Sequence, residues 1–182
     1  MAVKATIYKA DLQVNDMDRH YYAGHALTLA QHPSETEERL MVRLLAFALY
    51  AYERLAFGRG ISTDDEPDLW LKDLTGAIDL WIDLGQPDDQ RIRRACGRAQ
   101  KVVVINYSGR GADIWWEKTG PAVERCRNLT VLDLAAGSTQ ALAALAERNM
   151  RLQCFIEDGQ VQVLDENGQS LVMAITARQA AA

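Results

Sequence analysis

The chain has 182 residues, 48% of them hydrophobic and 25% charged. That composition excludes a largely disordered chain, a collagen-like chain and a disulfide-stapled miniprotein, and the length suits one domain with a sizeable core. The formal net charge of −5 and the pI of about 5.2 leave no global positive field, so any nucleic-acid contact requires a local basic patch on an acidic body.

Cys96, Cys126 and Cys154 form an odd set with no CxxC pair. This usage points to reduced thiols in a cytoplasm rather than a secreted disulfide framework. The stretch Met1 to Lys9 holds no apolar run of the signal-peptide kind. Charges interrupt every candidate for the roughly 18 apolar residues of a membrane span. The expectation is a soluble, cytoplasmic protein with no membrane contact.

In chain order, Ala5 to Val14 alternates partly, with Ile7, Leu12 and Val14 as apolar anchors. Asn15-Asp16-Met17-Asp18 supplies turn chemistry before Tyr21 to Ala30, so two strands in a hairpin are predicted. Ser34 with Glu37 fits a capping box at the start of a helix. Leu40, Leu44, Leu45, Phe47, Ala48 and Leu55 continue its apolar spacing as far as Phe57, with Gly58 and Gly60 as the stop. After Asp64-Asp65-Glu66-Pro67, the run Asp68 to Leu74 is echoed eleven positions later by Asp79 to Gly85. Both copies alternate, and Thr75-Gly76 between them predicts a tight hairpin. A two-residue turn there sets Lys72 opposite Asp79, Trp70 opposite Trp81 and Asp68 opposite Asp83.

Pro87-Asp88-Asp89 opens a second helix bearing Arg91, Arg93, Arg94 and Arg98, which leads to the strand Val102 to Ile105. A short helix over Asp113 to Lys118, a strand over Leu129 to Leu134 and a helix over Thr139 to Arg148 follow. Three short strands close the chain, Leu152 to Ile156, Val161 to Leu164 and Leu171 to Thr176, with turns at Asp158-Gly159 and Asn167-Gly168. The predicted fold class is α/β, a mixed central sheet flanked by helices, with β-hairpins at both ends and a single domain over residues 1–182.

No P-loop, HExxH or GxSxG occurs. His20, His25 and His32 have no cysteine near them and read as surface or turn histidines rather than metal ligands. Val131-Leu132-Asp133-Leu134-Ala135-Ala136-Gly137-Ser138 has some likeness to a methyltransferase cofactor loop but keeps one glycine, so an ordinary strand–helix turn is the better reading. The acidic hairpin is more informative. Carboxylates converging on a hard cation, with a lysine to stabilise negative charge, could cleave phosphodiesters. Spacing alone favours a plainer reading, a solvated hairpin face with mixed charges. Arg91, Arg94 and Arg98 fall on one helical face and could grip phosphates, although a charge run is more often a solvated face.

As a whole the sequence resembles the YaeQ family of bacterial proteins. The residues carrying the resemblance are Ala5-Thr6-Ile7-Tyr8-Lys9-Ala10, His32-Pro33-Ser34-Glu35-Thr36-Glu37-Glu38-Arg39, Asp64-Asp65-Glu66-Pro67, Ile78 to Gly85, Pro87-Asp88 and Arg91-Ile92. The resemblance implies a variant of the PD-(D/E)xK nuclease fold. That fold's usual order is an acidic helix, an aspartate opening a strand, an acid-x-lysine on the next strand, then a helix. Glu38 or Glu35 fits the first element, Pro67-Asp68 the second and Asp79 the third. Trp81 stands where the lysine belongs, and Asp83 is followed by Leu84-Gly85. Lys72 is the candidate for a displaced lysine.

The expected function is a Mg²⁺-dependent, nuclease-like phosphodiester-processing protein. Glu38, Asp68 and Asp79 would be the metal ligands, with Asp83 and Lys72 completing the catalytic set. Arg91, Arg94 and Arg98 would bind nucleic-acid phosphates. The alternative is a non-catalytic binding or regulatory module that keeps the fold without the active centre.

Overall fold

A computed structural model describes residues 4–59 and 65–182. Gly60, predicted as part of a helix stop, and Asp64 of the acidic loop lie outside the described residues. The contacts divide the chain into two compact units, Met1–Ala51 with Gly137–Ile175, and Tyr52–Ala136 with Thr176–Ala182.

In the first unit, β1 (Thr6–Asp16) and β2 (Tyr21–Gln31) form the predicted antiparallel hairpin. β1 also pairs in parallel with β8 (Asn149–Glu157), which runs antiparallel to β9 (Gln160–Asp165), and β9 pairs antiparallel with Ser170–Ala174 of β10 (Ser170–Gln179), whose residues from Thr176 are counted in the second unit. Alternation along β1 buries Tyr8, Ala10, Leu12 and Val14 and exposes Lys9, Asp11 and Gln13, the period-2 pattern of a half-buried strand. Asp158 and Gly159 both take positive φ, 49° and 73°, as a two-residue primed turn between β8 and β9 requires.

Helix α1 (Glu37–Leu49) buries every residue from Leu40 to Ala48, Arg43 included. Its cap is Thr36, whose Oγ1 accepts from Arg39 N at 3.1 Å, not Ser34. The Ser34 hydroxyl lies 2.7 Å from His32 Nδ1 and is already engaged. Glu35 turns inward instead, meeting Arg43 Nη2 at 2.7 Å and Arg39 Nη1 at 2.9 Å. The helix ends eight residues short of Phe57, because Ala56-Phe57 pairs with a neighbouring strand and pairing overrides helical spacing. Helix α4 (Ser138–Ala143) is likewise shorter than predicted. Residues up to Ala146 continue as turns, and Asn149 enters the sheet opposite Lys9.

The second unit holds β3 (Ala56–Phe57), β4 (Leu69–Lys72), β5 (Ile78–Leu84), β6 (Ala99–Asn106) and β7 (Leu129–Leu134), hydrogen-bonded in that order. β3, β4 and β5 pair antiparallel; β5, β6 and β7 pair in parallel. The parallel connections are α2 (Asp89–Arg98) and α3 (Arg110–Val123), as parallel neighbours require a crossover. α3 extends well beyond the predicted Asp113 to Lys118. Trp81, Ile92, Ala95, Val102, Val104, Val123, Leu129 and Val131 form this unit's core. The predicted α/β class with mixed strand pairing therefore holds.

Candidate functional site

The β4–β5 hairpin departs from the predicted two-residue turn. Asp73 N donates to Ala77 O and Gly76 N to Asp73 O, so Leu74-Thr75-Gly76 is the loop, with Gly76 at φ 89°. This is a three-residue hairpin, and the left-handed conformation it needs favours glycine. The Asp73 carboxylate anchors it, accepting from Thr75 N, Thr75 Oγ1 and Ala77 N. These bonds, the Thr75 hydroxyl foremost, hold its pKa below the usual value.

Beyond the loop the predicted register is observed over three pairs: Leu69 with Ile82, Trp70 with Trp81, Leu71 with Leu80. A shift then sets Lys72 opposite Ile78, leaving Asp79 as the extra residue of a bulge. Lys72 is thus not opposite Asp79. Its Nζ sits 3.7 Å from the centre of the Trp70 ring, a cation–π contact on an exposed face.

The two tryptophans meet edge to face at 6.2 Å, with Trp81 1% exposed and Trp70 partly so. Trp81 is core and Trp70 flanks it, so the pair is not a free stacking platform. Trp81 Nε1 donates to Asp83 Oδ2 at 3.0 Å. Arg91, one turn into α2, closes a two-pronged pair with the same carboxylate, Nε to Oδ2 at 2.9 Å and Nη2 to Oδ1 at 3.0 Å. Its Nη2 also donates to Glu66 O at 3.0 Å. Asp83 is 3% exposed, so its charge is desolvated and tolerated because both oxygens are bonded.

Asp68 Oδ2 accepts from Leu84 N at 2.8 Å, which fixes the start of β4 against the end of β5. Asp68 directly precedes Leu69, which pairs with Ile82, so continuing that register by one step sets Asp68 beside Asp83. Of α2's other basic residues, Arg93 pairs with Asp89 at 2.7 Å. Arg98 lies 5.2 Å from the Trp81 ring centre and donates to Asp65 O at 3.4 Å. Arg94 and Lys101 are exposed.

The hairpin and α2 therefore bring Asp68, Asp83 and Arg91 together. Glu38 stands on α1 in the first unit, and Asp79 lies at the bulge in β5. Among the described residues no group of three or more His, Cys, Asp or Glu side chains stands where it could hold one metal ion. The sequence reading missed that Arg91 belongs to Asp83. The available signal was the tight Gly85-Gln86-Pro87 link with Asp88 as cap, which returns the first turn of α2 to the end of β5. Among the described residues no helix is long and apolar enough to cross a membrane.

Comparison with known proteins agrees over nearly the whole chain. The family model described as YaeQ protein matches residues 1–174. The uncharacterized protein YaeQ of Salmonella typhi is 47% identical over 179 residues, 98% of each chain, and that of Escherichia coli K12 is 46% identical over the same span. The crystal structure of the YaeQ protein from Xanthomonas axonopodis pv. citri superposes with a TM-score of 0.94 at 58% identity, over 97% of this chain and 99% of that one. The YaeQ protein from Pseudomonas syringae gives 0.91 at 35% identity, over 97% of each. The sequence motifs, the fold and these matches agree: this chain belongs to the YaeQ family.

Proposed function

We propose that this protein is a cytoplasmic, non-catalytic binding module. It keeps a variant of the PD-(D/E)xK nuclease-like fold without the active centre and meets a phosphate-bearing partner through α2. The carrying observation is the Asp83–Arg91 pair: both carboxylate oxygens accept from the guanidinium, and one also takes the Trp81 indole. A carboxylate so engaged holds the hairpin to α2 and has little left for a cation. The exposed Arg94, Arg98 and Lys101 then form the local basic patch that an acidic chain needs to reach an anionic partner.

One observation favours the second reading, a Mg²⁺-dependent nuclease-like activity: the Asp68 carboxylate accepts from Leu84 N, the residue next to Asp83. A melting titration with Mg²⁺ and Mn²⁺ separates the two, since a cation that binds only the folded state raises Tm. The binding-module reading expects no rise beyond that of an Asp68→Asn variant, and no metal-dependent cleavage of a labelled oligonucleotide. A cation-dependent rise that Asp68→Asn abolishes, together with cleavage, would overturn it.

A further inference from the structure

The parallel strands of the second unit end in a cluster of polar side chains. Asn106 closes β6, and its register partner on β7 is Asp133. Two residues earlier in each strand, the paired Val104 and Val131 enter the core beneath α2 and α3. Alternation therefore sends Asn106 and Asp133 out on that same helix-facing side, next to one another, at the strand ends where open α/β sheets hold ligands. Asn106 is 1% exposed, yet neither its Nδ2 nor its Oδ1 has a hydrogen-bond partner. Asp133 Oδ1 is likewise buried and unpartnered. Buried polar groups are nearly always bonded, so these orphaned atoms on neighbouring side chains point to a ligand.

Part of this cluster is already occupied, and the occupant shows what chemistry the site takes. Arg178 on β10 reaches Asp113, in the first turn of α3, and Asp133 together. Its Nη2 donates to Asp113 Oδ1, and its Nε lies 2.6 Å from Asp133 Oδ2. The second approach is out of line for a hydrogen bond, so the tethered guanidinium leaves its own Nε–H, Asp133 Oδ1 and the Asn106 amide unsatisfied. Two carboxylates against one guanidinium also leave one negative charge over. A planar fork of N–H donors matches carboxylate and amide oxygens better than a point cation does.

We propose that Asn106, Asp113 and Asp133 form a guanidinium-recognition site, which the chain's own Arg178 fills in the free protein and an arginine side chain of a partner protein takes over. The incoming guanidinium donates to Asp133 Oδ1 and Asn106 Oδ1 as well as to Asp113. The segment Thr176–Ala182 is the strap that lifts. Thr176, Ala177 and Ala180 to Ala182 are exposed. Besides Arg178, the strap is held by Gln179 Nε2 on Cys126 O, Ala181 N on Thr130 Oγ1 and Ala182 N on Arg127 O. With so little apolar burial, it belongs to the low-stability end of the fold. The site is separate from the α2 basic patch and opposite to it in charge, so it does not rest on the function proposed above.

The test titrates the full-length protein with N-acetyl-arginine amide, an arginine side chain without charged termini, and follows amide hydrogen exchange by peptide mapping. In the wild type, bound probe should speed exchange over Thr176–Ala182 as the strap lifts. Arg178→Ala, checked as folded by circular dichroism, should bind the probe about tenfold tighter, because the competing guanidinium is gone. N-acetyl-lysine amide should bind more weakly to both. Adding Asp133→Asn, or Asp113→Asn at its exposed position on α3, should remove the gain. A probe that fills Arg178→Ala but never speeds strap exchange in the wild type would make Arg178 a plain structural ion pair and overturn the proposal. So would no binding to folded Arg178→Ala, or a gain that survives both aspartate substitutions. Tighter binding of free L-arginine than of the blocked probe would overturn the assignment to a partner protein.

Discussion

Truncating Asp83 would leave the Arg91 guanidinium, whose side chain is 20% exposed, without its carboxylate. Breaking one side of such a pair costs about 3–5 kcal/mol, more than the intact pair contributes, because the orphaned charge stays desolvated. Asp83→Ala is therefore expected to lower urea-unfolding stability by that amount. Adding Arg91→Leu should recover part of it, giving a double mutant less destabilised than the sum. Equal and additive losses would remove Asp83 from its structural role. His25 offers a pH readout. Burial lowers its pKa below 6.5, its ring meets the Phe47 edge at 5.0 Å, and Nε2 is 2.8 Å from the Tyr21 hydroxyl. With the folded value depressed, the unfolded chain takes the proton first. The stabilising contribution is complete above pH 6.5 and is lost as pH falls through the folded value. His25→Gln should flatten that part of the Tm–pH curve, and an unchanged slope would assign it elsewhere.

Two glycines separate two costs at the scale of the element. A Cβ at Gly58 would lie 2.0 Å from Pro67 O, and Gly58 N already donates to Asp68 O at 2.9 Å. Gly58→Ala must push apart the β3–β4 approach that seats Asp68, and overpacking of this kind costs about 1–3 kcal/mol. A Cβ at Gly76 meets nothing within 4 Å, but φ is 89°. Gly76→Ala should cost only the left-handed backbone penalty, about 1 kcal/mol, with no loss of packing. Denaturation of both variants checks the ranking, and a Gly76 variant hurt more than Gly58 would reverse the account. The same hairpin shows why register was half legible. Trp70 and Trp81 were paired correctly from the echoed Asp-Leu-Trp runs, whereas the bulge at Asp79 leaves no mark in alternation. The extra residue follows from the three-residue loop and its Asp73 anchor, which the Thr75-Gly76 dipeptide did not reveal.

For the whole molecule, the net charge of −5 means that an anionic partner is attracted only where basic residues cluster. If α2 meets phosphates, affinity for a labelled single-stranded oligonucleotide should fall with salt. Arg94→Ala and Arg98→Ala should each reduce the slope of log K against log salt by about one contact. Binding that is insensitive to both substitutions would place any partner elsewhere.

The sequence by itself determined the α/β class, the two terminal hairpin regions, the start of α2 at Pro87-Asp88-Asp89 and the family. These rest on signals local in the chain, namely period-2 alternation, Asp-Gly and Asn-Gly turns, acidic helix starts and motifs spaced along it. It also named the residue types gathered around the hairpin. Only the tertiary structure decided what those side chains do. Ser34 lost the cap to Thr36 because His32 holds its hydroxyl, α1 stopped early because Ala56-Phe57 found a strand partner, and Lys72 settled on Trp70 while Arg91 took Asp83. Each outcome is a competition between partners distant in sequence, and the winner is set by register and burial, which chain-local patterns do not encode.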